Sequence, residues 1–326
     1  MHQSIKIFTI FLYLFSIQLF ATETELFEAK PPIVFTKAEF VNNSTTRIPF
    51  KIVDQLIIVD VEILDKEGNF IIDTGSETLI LNSVHFKPTR TYRQKRKQSS
   101  GVHNDIEDVR EKYLKKLSIE SLSLEKLNAD VIDLSHIEKI KKIEVLGIIG
   151  YSILKDFEVF IDMHLNQITL SKIDKNGELL SKKVYAETIH DSIDFKLKKH
   201  TIVLDALIEN HKVKFGLDTG AEYNQLNKNL DSEILDYFYP SEELKLTGAS
   251  GKKMKVMAGK LYRVKLNDSI YFGPMKTVLT NLRKMNSAFR TNLDGILGFE
   301  FFAQQRTIIN YKKQKLYFIK FPILKP

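Results

Sequence analysis

The chain repeats itself. Phe70-Ile71-Ile72-Asp73-Thr74-Gly75-Ser76-Glu77 returns as Phe215-Gly216-Leu217-Asp218-Thr219-Gly220-Ala221-Glu222, 145 residues further on. A second landmark follows each copy, Gly147-Ile148-Ile149-Gly150 and Gly295-Ile296-Leu297-Gly298, at an offset of 148. That register continues through Val159–Asp162 over Thr307–Asn310 and Gln167–Leu170 over Lys315–Phe318. Two landmarks in one order at nearly one spacing mark an internal duplication. The chain of 326 residues therefore folds as two homologous lobes rather than one continuous domain.

Each copy reads as mostly β. Ile57–Ile63 and Thr201–Leu207 are short runs rich in β-branched residues, and Asp65–Asn69 and Glu209–His211 punctuate them as turns. Each copy thus opens with a hairpin that feeds into Asp-Thr-Gly. Lys255–Met257 and Leu261–Leu266 read as further strands, the latter alternating apolar and polar residues. Helical signal is confined to short pieces such as Ser152–Phe157 and Phe299–Gln304. The polar stretch Lys172–Ser192 reads as the linker, which gives lobes at 49–175 and 193–326.

Ahead of the lobes, Met1–Lys6 carries a single Lys, and Ile7–Ala21 is almost wholly apolar. A short charged start, an apolar run and a small residue at its exit read as a signal peptide over residues 1–21. The run is short for a membrane-spanning helix, which takes about 20 apolar residues, so an uncleaved anchor is the rival reading. Export to the periplasm or the extracellular space follows, with envelope association as an option. Residues 22–48 form an extension that the sequence does not place.

The chain has no cysteine, which rules out disulfides, thiol catalysis and thiolate metal sites. The net charge of +7 speaks to solubility and surface association, not to fold. The basic run Arg90, Arg93, Lys95, Arg96 and Lys97 has one aromatic, Tyr92, so the interleaving expected of a base-stacking surface is missing. It reads as a solvated loop, and no nucleic-acid partner is expected. His103, His136, His164 and His190 are scattered without ligand spacing, so no metal and no cofactor are expected.

The chemistry lies in the repeated loop. Apolar-leaning residues before each Asp carry the chain through a core and deliver a carboxylate at its end. The Gly allows a tight turn and close backbone approach. Thr or Ser hydroxyls and backbone N–H groups can then fix the carboxylate. Two such loops about a pseudo-twofold axis can hold two acids face to face. Two carboxylates that close cannot both ionise and share one proton. The ionised member can act as general base on a water while the protonated one polarises a carbonyl.

At these residues the chain resembles the aspartic peptidases of the retropepsin-like and pepsin-like kind. The family's signature is Asp-Thr-Gly-[Ser/Ala] in each lobe, here Asp73, Thr74, Gly75, Ser76 and Asp218, Thr219, Gly220, Ala221. Behind each loop the family places two hydrophobic residues and a Gly, here Ile148-Ile149-Gly150 and Ile296-Leu297-Gly298. The resemblance implies acid-protease-type β-barrel lobes, an aspartic endopeptidase with Asp73 and Asp218 as its catalytic pair, and a polypeptide substrate. Two lobes on one chain imply a self-contained monomer. A catalytically silent relative that keeps the groove and binds peptide or protein is the alternative.

There are departures. Glu77 and Glu222 directly follow the motif and are expected to point to solvent. A Tyr-Gly-Thr-Gly flap is missing, and the substrate-binding flap is expected at Thr247, Gly248, Ala249, Ser250 and Gly251 in the second lobe. Arg90–His103 is the first-lobe equivalent and lacks clean alternation. Ser76 offers a hydroxyl that Ala221 lacks, so Asp73 is expected to be the more readily ionised acid.

Overall fold

The computed structural model describes residues 39–87, 109–119, 122–181, 188–247 and 253–321, with short strands at 93–94, 99–100 and 105–106. The expected signal segment, the extension up to residue 38 and the flap residues Gly248–Gly251 lie outside the described residues. The described chain is mostly β, in two homologous lobes joined by a shared sheet.

In the first lobe, Leu56–Ile63 pairs antiparallel with Lys66–Ile72. Leu64 and Asp65 form the turn, at φ 50° and 60°. Positive φ at both central residues is the twist a two-residue hairpin needs. The turn therefore falls earlier than the stretch read from Asp65–Asn69, which is mostly strand. In the second lobe Thr201–Ile208 pairs with His211–Leu217 in the same way. The first half of the first-lobe strand, Leu56–Val59, is apolar on both faces because both are covered there. Ile57, Val59, Val61 and Ile63 enter the main core, while Leu56 and Ile58 join a second cluster with Leu134, Val145 and Ile148.

The strand order is the same twice. The first lobe runs 51–53, 56–63, 66–72, 147–149, 79–82, 122–132, 110–119, 93–94, and the second 196–198, 201–208, 211–217, 295–297, 224–227, 275–280, 253–261, 238–247. The stretch Leu261–Leu266 is not one strand. Lys253–Leu261 ends there, Arg263 takes φ 59°, and Val264–Lys265 pairs separately with Leu207–Ile208.

Seven strands make the shared sheet, in the order Glu39–Asn42, Thr45–Pro49, Gln167–Lys172, Phe157–Asp162, Arg306–Asn310, Lys315–Ile319 and Ile189–Asp194. Its central pair, Val159 opposite Ile309 and Phe160 opposite Ile308, joins the two copies. The extension thus contributes strands from residue 39 onward, and the end of the linker contributes another. Ile48 and Phe50 correspond to Ile193 and Phe195 at the offset of the Asp loops.

A buried ion pair crosses the central strands. Arg306 Nε and Nη2 donate to Asp162 Oδ2 at 3.1 and 2.6 Å, and Arg306 Nη1 donates to the Lys320 carbonyl at 2.8 Å. Both side chains are almost fully buried, at 1% and 0% exposure. Two donors on one carboxylate oxygen and a third on a carbonyl make such a pair tolerable in a core.

The helices Tyr151–Leu154 and Phe299–Gln304 fall close to where the sequence puts them. Two seven-residue helices, Ser135–Lys141 and Arg283–Phe289, are additional. Each ends on a left-handed residue, Lys142 at φ 53° and Arg290 at φ 55°. They pack Ile137 and Met285 onto matching apolar clusters beneath the two glycine motifs.

Candidate active site

Both Asp loops leave the ends of buried strands. Phe70–Ile72 pairs in parallel with Gly147–Ile149, and Phe215–Leu217 with Gly295–Leu297. Gly147 and Gly295 have no room for a side chain. A Cβ at Gly295 would lie 2.5 Å from the Gln225 carbonyl and against the Phe215 ring, and one at Gly147 would strike the Ile80 carbonyl and the Phe70 ring. The Asp73 N–H donates to the Ile149 carbonyl at 3.0 Å and Asp218 N–H to Leu297 at 2.9 Å. Each glycine motif therefore holds the backbone from which a carboxylate projects.

The two loops interlock. Thr74 N–H donates to Thr219 Oγ1 and Thr219 N–H to Thr74 Oγ1, both at 3.0 Å. The Thr219 hydroxyl donates to the Ile72 carbonyl at 2.8 Å, and the Thr74 hydroxyl to Leu217 at 3.4 Å. Thr74 and Thr219 are buried to 0% and 1% exposure, so the exchange takes place in a dry interior where an unmade bond is costly.

The carboxylates sit above that lock, each against the opposite loop. A Cβ on Gly220 would fall 2.5–2.7 Å from the Asp73 carboxyl atoms, and one on Gly75 would collide with the Asp218 carboxyl. Asp73 Oδ1 accepts the Gly75 and Ser76 N–H groups at 2.8 and 3.0 Å, and Asp218 Oδ1 accepts that of Gly220 at 2.8 Å. The site thus brings together Asp73, Thr74, Gly75, Ser76, Asp218, Thr219, Gly220 and Ala221. Both Asp side chains keep some exposure.

Comparison with known proteins bears on this geometry. Residues 59–153 match the aspartyl protease family. That aspartyl-protease segment carries the first Asp loop and the first glycine motif. Among solved structures, the aspartic proteinase from Irpex lacteus covers 85% of this chain and 97% of its own, at 11% identity and a TM-score of 0.49. No curated protein matches in sequence.

Two expectations are corrected. The Ser76 hydroxyl donates to the Thr78 carbonyl at 3.3 Å, not to the Asp73 carboxylate. The Asp73 acidity is set elsewhere: burial, then the adjacent Asp218 carboxylate and its hydrogen bond, hold Asp73 well above the usual carboxylate range. The Gly75 and Ser76 N–H groups pull the other way and lose. Asp73 is thus held against ionisation, the opposite direction to the one a Ser76 hydroxyl on the carboxylate implies.

Of the two glutamates expected to point to solvent, Glu222 does not. Glu222 crosses to the first lobe, where its Oε2 lies 2.7 Å from the Nζ of buried Lys141, with Asp54 at 3.9 Å from that nitrogen. Glu77 stays mostly exposed and approaches His200 of the second lobe at 3.8 Å. These partners lie on the added helix 135–141 and on a turn, and nothing local in the sequence ties them to the Asp loops. The offset offers one signal: His200 and Gln55 correspond at 145, and Lys141 and Phe289 at 148.

The expected flap joins Phe238–Thr247 to Lys253–Leu261, which pair antiparallel with Thr247 opposite Lys253. Its tip, Gly248–Gly251, lies outside the described residues. Of the first-lobe equivalent only Arg93–Gln94 and Ser99–Ser100 are described, with Arg93–Gln94 pairing to Arg110–Glu111.

Proposed function

We propose that the protein is an aspartic endopeptidase in which Asp73 and Asp218 share one proton and activate a water between the lobes. The observation that carries this reading is the reciprocal contact of each carboxylate with the glycine of the opposite loop. Two acids that close cannot both be charged, so one proton stays on the pair at mildly acidic pH. Asp73, held well above the usual carboxylate range, is its carrier, which leaves the role of base to Asp218.

In that state Asp218 takes a proton from the water, whose oxygen attacks the peptide carbonyl carbon, while Asp73 gives its proton to the carbonyl oxygen. The tetrahedral diol then loses a proton to Asp73 as its carbonyl re-forms. The C–N bond breaks and the amine leaves with the proton held on Asp218. The pair ends with one proton, on Asp73. An extended polypeptide bound as a strand in the cleft is the substrate class. The N-terminal segment would deliver the enzyme outside the cytoplasm.

The test is incubation of purified protein with unfolded polypeptides from about pH 3 to 8, with and without a statine-type transition-state mimic. Cleavage that the mimic blocks is expected. Binding of the mimic without cleavage at any pH would make the protein a silent peptide binder.

A further inference from the structure

Each Asp loop is met from the opposite lobe at a corner built from three corresponding parts: the turn before a long strand, the end of a seven-residue helix, and the glutamate after the loop. At one corner these are Asp54, Lys141 and Glu222, and a fixed cation bridges the acids at 3.9 and 2.7 Å. At the other they are His200, Phe289 and Glu77. The two corners hold different chemistry although the fold repeats.

His200 is the unusual member. The residue is 2% exposed, its ring meets the Phe289 ring edge-on at 4.9 Å, and the Gly75 backbone is close enough to favour its cation slightly. Nδ1 is fully buried and has no hydrogen-bond partner among the described residues. The Glu77 carboxylate is 3.8 Å from that nitrogen. A buried imidazole nitrogen without a partner is costly unless the group has another use. Gly75 lies over the Asp218 carboxyl and donates to Asp73, so whatever holds Gly75 holds both acids.

We infer that His200 is a positioning residue for the Asp73–Asp218 pair, tying the first Asp loop to the second lobe through Gly75 and Glu77. The inference rests on the peptidase reading for its catalytic consequence, not for the tie itself. The charged groups that face the ring are Glu77 and Asp218, which favour its cation, and Lys199, which opposes it. Burial outweighs them and holds the imidazole below the usual histidine range, so the folded protein favours the neutral ring. That contribution to stability is complete above the free-histidine value of about 6.5 and is lost as pH falls through the lowered folded value.

The experiment compares wild type with His200→Gln and His200→Ala in peptide cleavage and in thermal unfolding between about pH 4.5 and 8. For His200→Ala, kcat is expected to fall of the order of 10- to 100-fold with KM little changed, because the loop rather than the groove is loosened. Gln keeps a polar side chain of similar length without titrating. It should recover most of kcat at neutral pH, and its Tm should gain on wild type as pH falls below about 6.5. Unchanged kcat in His200→Ala, or a pH-independent Tm difference between wild type and His200→Gln, would overturn the inference. If wild type cleaves nothing, the peptidase reading fails, and the Tm comparison still decides the tie. Should His200→Ala not fold, Glu77→Gln is read against wild type, with a Tm difference that depends on pH over the same range expected and a constant one contrary.

Discussion

At the residue scale, the site depends on where hydroxyls go. Ser76 spends its proton on the Thr78 carbonyl, so it is a loop brace rather than a modulator of Asp73. Ser76→Ala is therefore expected to leave the acidic limb of the pH–rate profile in place and to lower stability by about 1 kcal/mol. A displaced limb in that variant would restore the hydroxyl to the acid. Tyr311 is a second case. It is 3% exposed, stacks edge-on with Tyr151 at 5.3 Å, and its hydroxyl has no partner among the described residues. Burial, with Tyr151 and the two Asp carboxylates beyond, pushes that phenol far above its usual range, so it stays neutral. Tyr311→Phe removes an unsatisfied buried group and should raise stability by about 1 kcal/mol in urea unfolding, with cleavage retained.

At the element scale, the glycines of the two motifs are the tightest points. In Gly295→Ala the new methyl would meet the Gln225 carbonyl and the Phe215 ring, both fixed by the sheet. A loss of about 3 kcal/mol is expected from such overpacking, and near-wild-type stability would show that the strands can part. These elements were legible because apolar strands, turn residues and the repeat agree on them. Loops 73–76 and 218–221 were legible for the same reason. The helices 135–141 and 283–289 were not. They are seven residues long, lack a side-chain cap bond, and their charged residues obscure a short apolar face. The strands at 39–42, 45–49 and 189–194 were hidden because partly polar composition, and for the outer two an edge position, mask their pairing. The partners of Glu77 and Glu222 come from tertiary packing alone.

At the scale of the molecule, the lobes are held together by the threonine lock, the shared sheet and the Asp162–Arg306 pair. Removing one ion of a buried pair strands the other, so Arg306→Ala should cost about 3–5 kcal/mol. Because the pair joins strands from both copies, the loss should appear as one cooperative transition at lower denaturant, with the lobes unfolding together. A two-step transition in wild type would show that the sheet does not couple them. In the proposed function, one proton shared by Asp73 and Asp218 does the chemistry. The most direct measurement is cleavage by Asp73→Asn, Asp218→Asn and the double variant, each shown to be folded. Groups that act as a unit are grossly non-additive, so each single variant should lose nearly as much activity as the double. A folded single variant with near-normal turnover would contradict the shared proton.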